Sequence, residues 1–263
     1  MTEPILRLDK VSQQFGGLKA VSEFSLELHP GELVGIIGPN GAGKTTIFNL
    51  ITGVYSPTAG DILLRGKRIN GLASHVIAAA GISRTFQNIR LFRSMTVLDN
   101  VKTAFNARVR YSMLDVFLGN LRYLQEERDL SDKAWYLLER FGLEDRARER
   151  SSSLPYGLQR KLEIARALAC NPSVLLLDEP AAGMNPLEID ELIELVLHIK
   201  TEFEPAILLI EHQMKVVRSL CERVKVLDFG LTIAEGPPRE VSRMPRVLEA
   251  YLGEPDEPAS AAG

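Results

Sequence analysis

Nine consecutive residues, Gly38-Pro39-Asn40-Gly41-Ala42-Gly43-Lys44-Thr45-Thr46, have the spacing of a phosphate-binding loop. The three glycines permit backbone angles that side chains disfavour, so successive N–H groups can turn inward around an oxyanion. Lys44 offers a point charge to the β- and γ-phosphates, and the Thr45 hydroxyl is a ligand suited to Mg²⁺. Further along, Val174–Leu177 is an apolar run that ends in Asp178 and Glu179. Two carboxylates then stand at the C-terminal end of a strand, the edge at which open α/β sheets bind ligands. Asp178 is placed to hold Mg²⁺ through water, and Glu179 to polarise an attacking water. The chemistry predicted is binding and hydrolysis of a nucleoside triphosphate. A guanine site built on this loop would want Asn-Lys-x-Asp and Asp-x-x-Gly; neither occurs, which favours ATP.

The flanking segments supply the elements that must position these groups. Glu32–Ile37 is a short apolar run, as a buried parallel strand would be, and Ile47–Thr52 continues as a helix whose N-terminus faces the phosphates. Residues 5–11 and 24–28 alternate apolar and polar and predict antiparallel strands with one wet face; residues 61–69 read as another hairpin arm. From Leu98 to Gly142 the periodicity is helical, with one stripe at Val97, Leu98, Val101 and Phe105 and another at Trp135, Leu138 and Phe141. Gln159–Ala169 predicts a further helix. The runs 174–177, 207–210 and 224–227 are short strands separated by helices, the rhythm of a mostly parallel sheet.

Composition narrows the setting. The chain has 263 residues, a formal net charge of −3, 45% apolar and 25% charged residues. A nucleic-acid binder would more often carry a basic face, so no nucleic-acid partner is expected. Cys170 and Cys221 form no CxxC pair, and the four histidines show no zinc spacing, which points to a reducing cytosol. The first residues do not read as a signal peptide, and no window approaches the roughly 18 apolar residues of a membrane span. A soluble protein is expected, carried to a membrane by other subunits if it works there.

With both site motifs in place, the chain resembles the ABC-type ATPases over almost its whole length. The resemblance implies an α/β P-loop NTPase fold with a mostly parallel core sheet, an antiparallel β subdomain and an inserted helical subdomain. It implies one ATP-binding domain over residues 1–253, with the core and β subdomain at roughly 1–87 and 161–253 and the helical subdomain at roughly 88–160. Residues 254–263, Pro-rich, acidic and free of aromatics, are expected to be a disordered tail. By the same resemblance Gln87, in Arg84-Thr85-Phe86-Gln87-Asn88, contacts Mg²⁺ or the lytic water. His212 contacts the γ-phosphate, and Phe15 stacks on adenine. Ala181–Pro186 forms the loop that crosses a dimer interface. Leu154-Pro155-Tyr156-Gly157-Leu158-Gln159-Arg160 stands where the family signature, Leu-Ser-Gly-Gly-Gln, opens a helix and binds the γ-phosphate held by a second subunit. Here Pro155 replaces the serine, Tyr156 the first glycine and Leu158 the glutamine. Gly157 and the helix start remain, so Tyr156 and Gly157 are the expected donors, fewer than in the family pattern.

Four stretches, Gly16–Val21, Arg84–Phe92, Glu179–Pro186 and Val226–Gly230 with the closing Glu249–Gly253, are similar to the ATP-binding subunits of branched-chain amino acid importers. The longer of the two subunit types in those importers carries extra helix, as residues 105–130 suggest here. The resemblance then implies ATP and Mg²⁺ as cofactors and a second ABC ATPase subunit, like or unlike, as partner. It further implies transmembrane permease subunits, an external substrate-binding protein that acts indirectly, and a cytoplasmic site on the inner face of the membrane. Importers of urea, amides or other amino acids use near-identical ATPases. A non-transport ABC switch is the reading from another class, and the absence of a second cassette or long coiled insertion speaks against it.

Overall fold

The apolar alternation at the start of the chain sets the first sheet. In a computed structural model describing residues 3–105 and 121–252, β1 (Leu6–Phe15) and β2 (Leu18–Leu28) pair antiparallel. Leu6, Leu8, Phe24, Leu26 and Leu28 are buried, while Arg7, Ser25 and Glu27 face outward. Both strands run longer than the alternation indicates, because bulges interrupt the period of two. Lys10 and Glu23 take positive φ of 47° and 50° there. The freed amides are recovered: Lys10 N–H donates to Ser25 Oγ and Glu23 N–H to Ser12 Oγ, each at 2.9 Å.

β3 (Leu33–Ile37) is buried throughout and runs into the phosphate loop and α1 (Lys44–Ile51). The expected arm at 61–69 is a complete hairpin, β4 (Ala59–Leu64) and β5 (Lys67–Arg68), turned by Arg65 and Gly66 at φ 49° and 72°. The antiparallel sheet has the order β2-β1-β4-β5.

The chain divides into two units, Met1–Leu72 with Leu208–Gly263, and Ala73–Ile207. The second unit opens with α2 (Ser74–Ala80) and β6 (Ile82–Arg84), then α3 (Val97–Phe105), α4 (Leu121–Arg140), α5 (Tyr156–Ala169), β7 (Val174–Asp178) and α6 (Pro186–Phe203). β6 and β7 are parallel, with Arg84 level with Leu176, and β7 is wholly buried. The expected helical stripes bury Val97, Val101, Leu138 and Phe141. Residues 106–120, within the extra helix expected at 105–130, and the tail at 254–263 lie outside the described residues. α6 starts at a capping box: Asn185 Oδ1 accepts from the N–H groups of Leu187 and Glu188, and Glu188 accepts from Asn185 N–H.

β8 (Ala206–Ile210) spans the boundary between the units. The first unit then resumes with α7 (Met214–Leu220), β9 (Arg223–Asp228), β10 (Leu231–Gly236), α8 (Pro238–Val241) and α9 (Pro245–Leu252). β9 is parallel to β3 and antiparallel to β10, a strand with no buried residue and so no alternation to announce it. Parallel buried strands with an antiparallel sheet are the α/β class expected. No helix among the described residues is long and apolar enough to cross a membrane.

Cys221 closes α7 against β3, its Sγ 2.9 Å from where a Cβ on Gly35 would stand. Burial, with Glu211 and Glu222 nearby, pushes its thiol up to about 12. Thiolate is the reactive form, so Cys221 is expected to resist maleimide at pH 8 in the native protein and to react fully in urea. Mass spectrometry of the labelled protein reads the difference; native labelling as fast as the unfolded rate would contradict this burial.

Candidate functional site

In the first unit, the phosphate loop is shaped by close backbone approaches. A Cβ on Gly38 would stand 2.1 Å from Leu227 O, and one on Gly43 would stand 2.5 Å from Ala20 O. Gly38 and Gly43 take φ of 149° and 100°, angles open to glycine. The turn after β9 braces the loop further: Gly230 N–H donates to Ala42 O at 3.0 Å, and Ser22 N–H donates to Gly230 O at 2.9 Å. Lys44 is buried, and its ammonium donates to Gly38 O and Pro39 O, both at 2.8 Å. Asn40, Gly41 and Thr45 are exposed on the same loop, with Pro39 and Thr46 half-buried. Gly43 is the N-cap of α1 and makes no side-chain cap, so the positive end of the helix dipole stands at the loop, where an anion is favoured.

Two further expected residues belong to this unit. Phe15 ends β1 with 40% of its surface exposed, and its ring meets Tyr55 edge-on at 5.0 Å. Tyr55 thus fixes the ring without covering it, a role invisible in the sequence because the two residues lie on different segments. His212 is exposed just after β8. The neighbouring carboxylate of Glu211, fully buried, accepts from the N–H groups of His212 and Gln213 at 3.0 and 3.2 Å. Tyr251, in the closing segment quoted above, has its phenol raised by burial, opposed by the nearby Gly38 amide.

The second unit holds the carboxylates. Asp178 ends β7 almost fully buried, and its Oδ2 accepts from the Arg84 guanidinium at 2.7 Å. Thr85 ties the strand ends together, donating its N–H to Leu176 O at 3.0 Å and accepting from Asp178 N–H at 3.3 Å. Glu179 takes φ 45°, a strained angle for a non-glycine residue of the kind that gathers at functional sites. Gln87 Nε2 donates to Glu179 Oε2 at 2.8 Å. Gln87, Asp178 and Glu179 are therefore brought into one cluster, with Arg84 as the member that spacing did not single out.

Pro155 caps α5 from outside, at φ −53°, as proline at a helix start permits. Gly157 is buried, and a Cβ there would meet Glu188 Oε1 at 2.8 Å. Tyr156 is half-exposed, and its hydroxyl donates to Ala182 O at 3.0 Å. Arg160 is fully buried and pairs with Glu163 at 2.7 Å. Burial raises the Glu163 carboxyl above its ordinary range, opposed by Arg160 and by the N–H groups of Arg90 and Phe86.

A glycine-rich loop opening a helix, with paired carboxylates at the end of a buried strand, defines a P-loop nucleotide-hydrolysing cassette. Residues 21–182 match the family described as "ABC transporter", and residues 232–257 match "Branched-chain amino acid ATP-binding cassette transporter". The chain is 44% identical over 254 residues to the high-affinity branched-chain amino acid transport ATP-binding protein LivG of Escherichia coli K12, covering 97% of this chain and 100% of that one. It is 42% identical over the same shares to BraF of Pseudomonas aeruginosa. It is also similar to a solved structure, the ADP conformation of MJ1267, an ATP-binding cassette of an ABC transporter. That likeness has a TM-score of 0.83 at 32% identity and covers 96% of this chain and 100% of that one. The chain belongs to the ABC transporter family: it is an ATP-binding, ATP-hydrolysing subunit.

Replacing Arg84 by methionine leaves the Asp178 carboxylate buried without its partner. Breaking a buried pair from one side costs about 3–5 kcal/mol. Urea unfolding of Arg84→Met is expected to show a loss of that size; a loss under about 1 kcal/mol would show that the pair does not hold this strand end in place.

Proposed function

We propose that this chain is the ATPase subunit of a branched-chain amino acid importer, acting as one of two cassettes on membrane permease subunits. One observation carries the substrate class. The match to a branched-chain family at residues 232–257 coincides with 44% identity, over the full length of the relative, to a branched-chain amino acid transport protein. The lipopolysaccharide export system ATP-binding protein LptB of Escherichia coli is less similar, at 33% identity over 95% of this chain and 97% of that one. A second cassette completes the site: the dimeric cassette MJ0796 bound to ADP and Pi is a solved relative at 26% identity and TM-score 0.74, covering 89% of this chain and 99% of that one. The cassette sits at the cytoplasmic face of the membrane through those permease subunits, with an external substrate-binding protein delivering cargo to them.

ATP lies with its phosphates on residues 38–46 and its adenine on Phe15. Lys44 exchanges carbonyl partners for phosphate oxygens. Mg²⁺ fits the donor set. The described residues include no group of three or more His, Cys, Asp or Glu able to hold a metal. Mg²⁺ ordinarily takes only one or two carboxylates and completes its shell with phosphate oxygens and water. Thr45, Asp178 and Gln87 are the residues that would hold it, and bound there it would neutralise phosphate charge. Glu179 orients and polarises the attacking water, while Gln87 and His212 fix the water and the γ-phosphate. Tyr156 and Gly157 face the nucleotide of the partner subunit. Phosphoryl transfer of this kind is mainly positioning and charge stabilisation.

Glu179→Gln is expected to bind ATP like the parent while its turnover falls by about 10²–10⁴-fold, the usual loss for a general base. Hydrolysis at the parental rate would remove Glu179 from that role. For the cargo, cells lacking this chain are expected to lose high-affinity uptake of labelled leucine, isoleucine and valine but to keep uptake of urea and short amides. The reverse pattern would reassign the substrate.

A further inference from the structure

Among the described residues, Arg160 is the bulkiest fully buried side chain, and hydrogen bonds run from it to the backbone of a distant loop. Nη1 donates to Phe86 O at 2.6 Å and to Glu163 Oε2 at 2.7 Å. Nη2 donates to Gln87 O at 2.8 Å and to the Tyr156 hydroxyl at 3.2 Å. Glu163 Oε1 completes the grip by accepting from the N–H groups of Phe86 and Arg90, at 3.3 and 3.2 Å. The carbonyls of Phe86 and Gln87 and the amides of Phe86 and Arg90 are therefore held by one helix face. Residues 156, 160 and 163 are neighbours on that face by the i, i+3 and i+4 rule.

The same face reaches a third segment. The Tyr156 hydroxyl, which accepts from Arg160, donates to Ala182 O at 3.0 Å, in the loop that follows Glu179. The next residue, Gly183, has φ 77°, and a Cβ there would lie 3.5 Å from the Tyr156 ring. A tyrosine at this position can do what a glycine or serine could not: span from the start of α5 to that loop. Every group involved lies in the unit Ala73–Ile207.

We propose that Tyr156 and Arg160 are positioning residues that lock the Gln87 loop, the start of α5 and the loop after Glu179 into one body. A displacement of Gln87 is then transmitted through the guanidinium and the phenol to the signature segment and to residues 181–183 together. The proposal rests on the roles given above to Gln87 and the signature segment. Chains with glycine and serine at the signature lack the phenol arm; in this chain the phenol takes over coupling at the position where the trans phosphate donors are fewer.

The test uses the full chain with ATP and Mg²⁺. Tyr156→Phe keeps the ring against Gly183 and removes one hydroxyl. It is expected to melt within about 2 °C of the parent, as a half-exposed single hydrogen bond implies, and to bind ATP on its own loop unchanged. Its kcat should fall about 3–10-fold, the effect of one hydrogen bond, with KM little moved. ATP-driven dimerisation, followed by light scattering in the Glu179→Gln background, should weaken by a similar factor. A double-mutant cycle with Gln87→Ala supplies the reading that a merely structural role would not move. Coupling appears as a double variant no slower than the slower single one, and strictly additive losses in kcat overturn the proposal. Arg160→Lys, which keeps the buried charge but loses the fork, should reproduce the kcat loss; parental kcat in both variants would also overturn it. A Glu179→Gln protein that still hydrolyses ATP would instead strike at the functional reading and leave the coupling measured by the cycle as it stands.

Discussion

A loop that binds phosphate must hold a tight, glycine-dependent turn of backbone at the head of a helix. That requirement governs the first unit. The loop is rigid because other backbone presses against it: Leu227 O beneath Gly38, Ala20 O beneath Gly43, and Gly230 joined to Ala42. β2, β9 and the turn into β10 are thus parts of the binding loop in all but sequence. Gly38 and Gly43 are fixed by contact as well as by φ, since even a residue tolerant of left-handed angles would collide.

The second unit solves a different problem, that of holding acidic groups ready in a buried place. Asp178 cannot be left alone at the end of an apolar strand, and Arg84 meets it from the parallel neighbour. Glu179 is turned out of the strand by its positive φ and handed to Gln87. Each carboxylate is therefore answered by a residue of the segment 84–87, only a few positions long. Desolvation is tolerated because the compensating group arrives on the adjacent strand in register.

Much of this could be read from residue order. The glycine spacing at 38–46, the apolar runs 33–37 and 174–177, and the break at Asp178-Glu179 each follow from one local rule. Local rules failed where the cause was non-local. β1 and β2 run past their alternation because serine hydroxyls on opposite strands rescue the bulges. β10 carries no usable period, being defined by its pairing with β9. No local spacing marks Arg84, Arg160, Glu211 or Tyr55; each gains meaning from a partner remote in sequence or from loop amides. The substitutions at 155–158 read as losses from the family pattern; the fold shows Tyr156 engaged with its own chain.

The Lys44 ammonium rests on the carbonyls of Gly38 and Pro39, already withdrawn from water. A buried ammonium left without acceptors would be costly, and these two carbonyls remove that cost. The charge at the mouth of the loop is therefore answered by the loop's own carbonyls, and its burial does not depend on a bound anion.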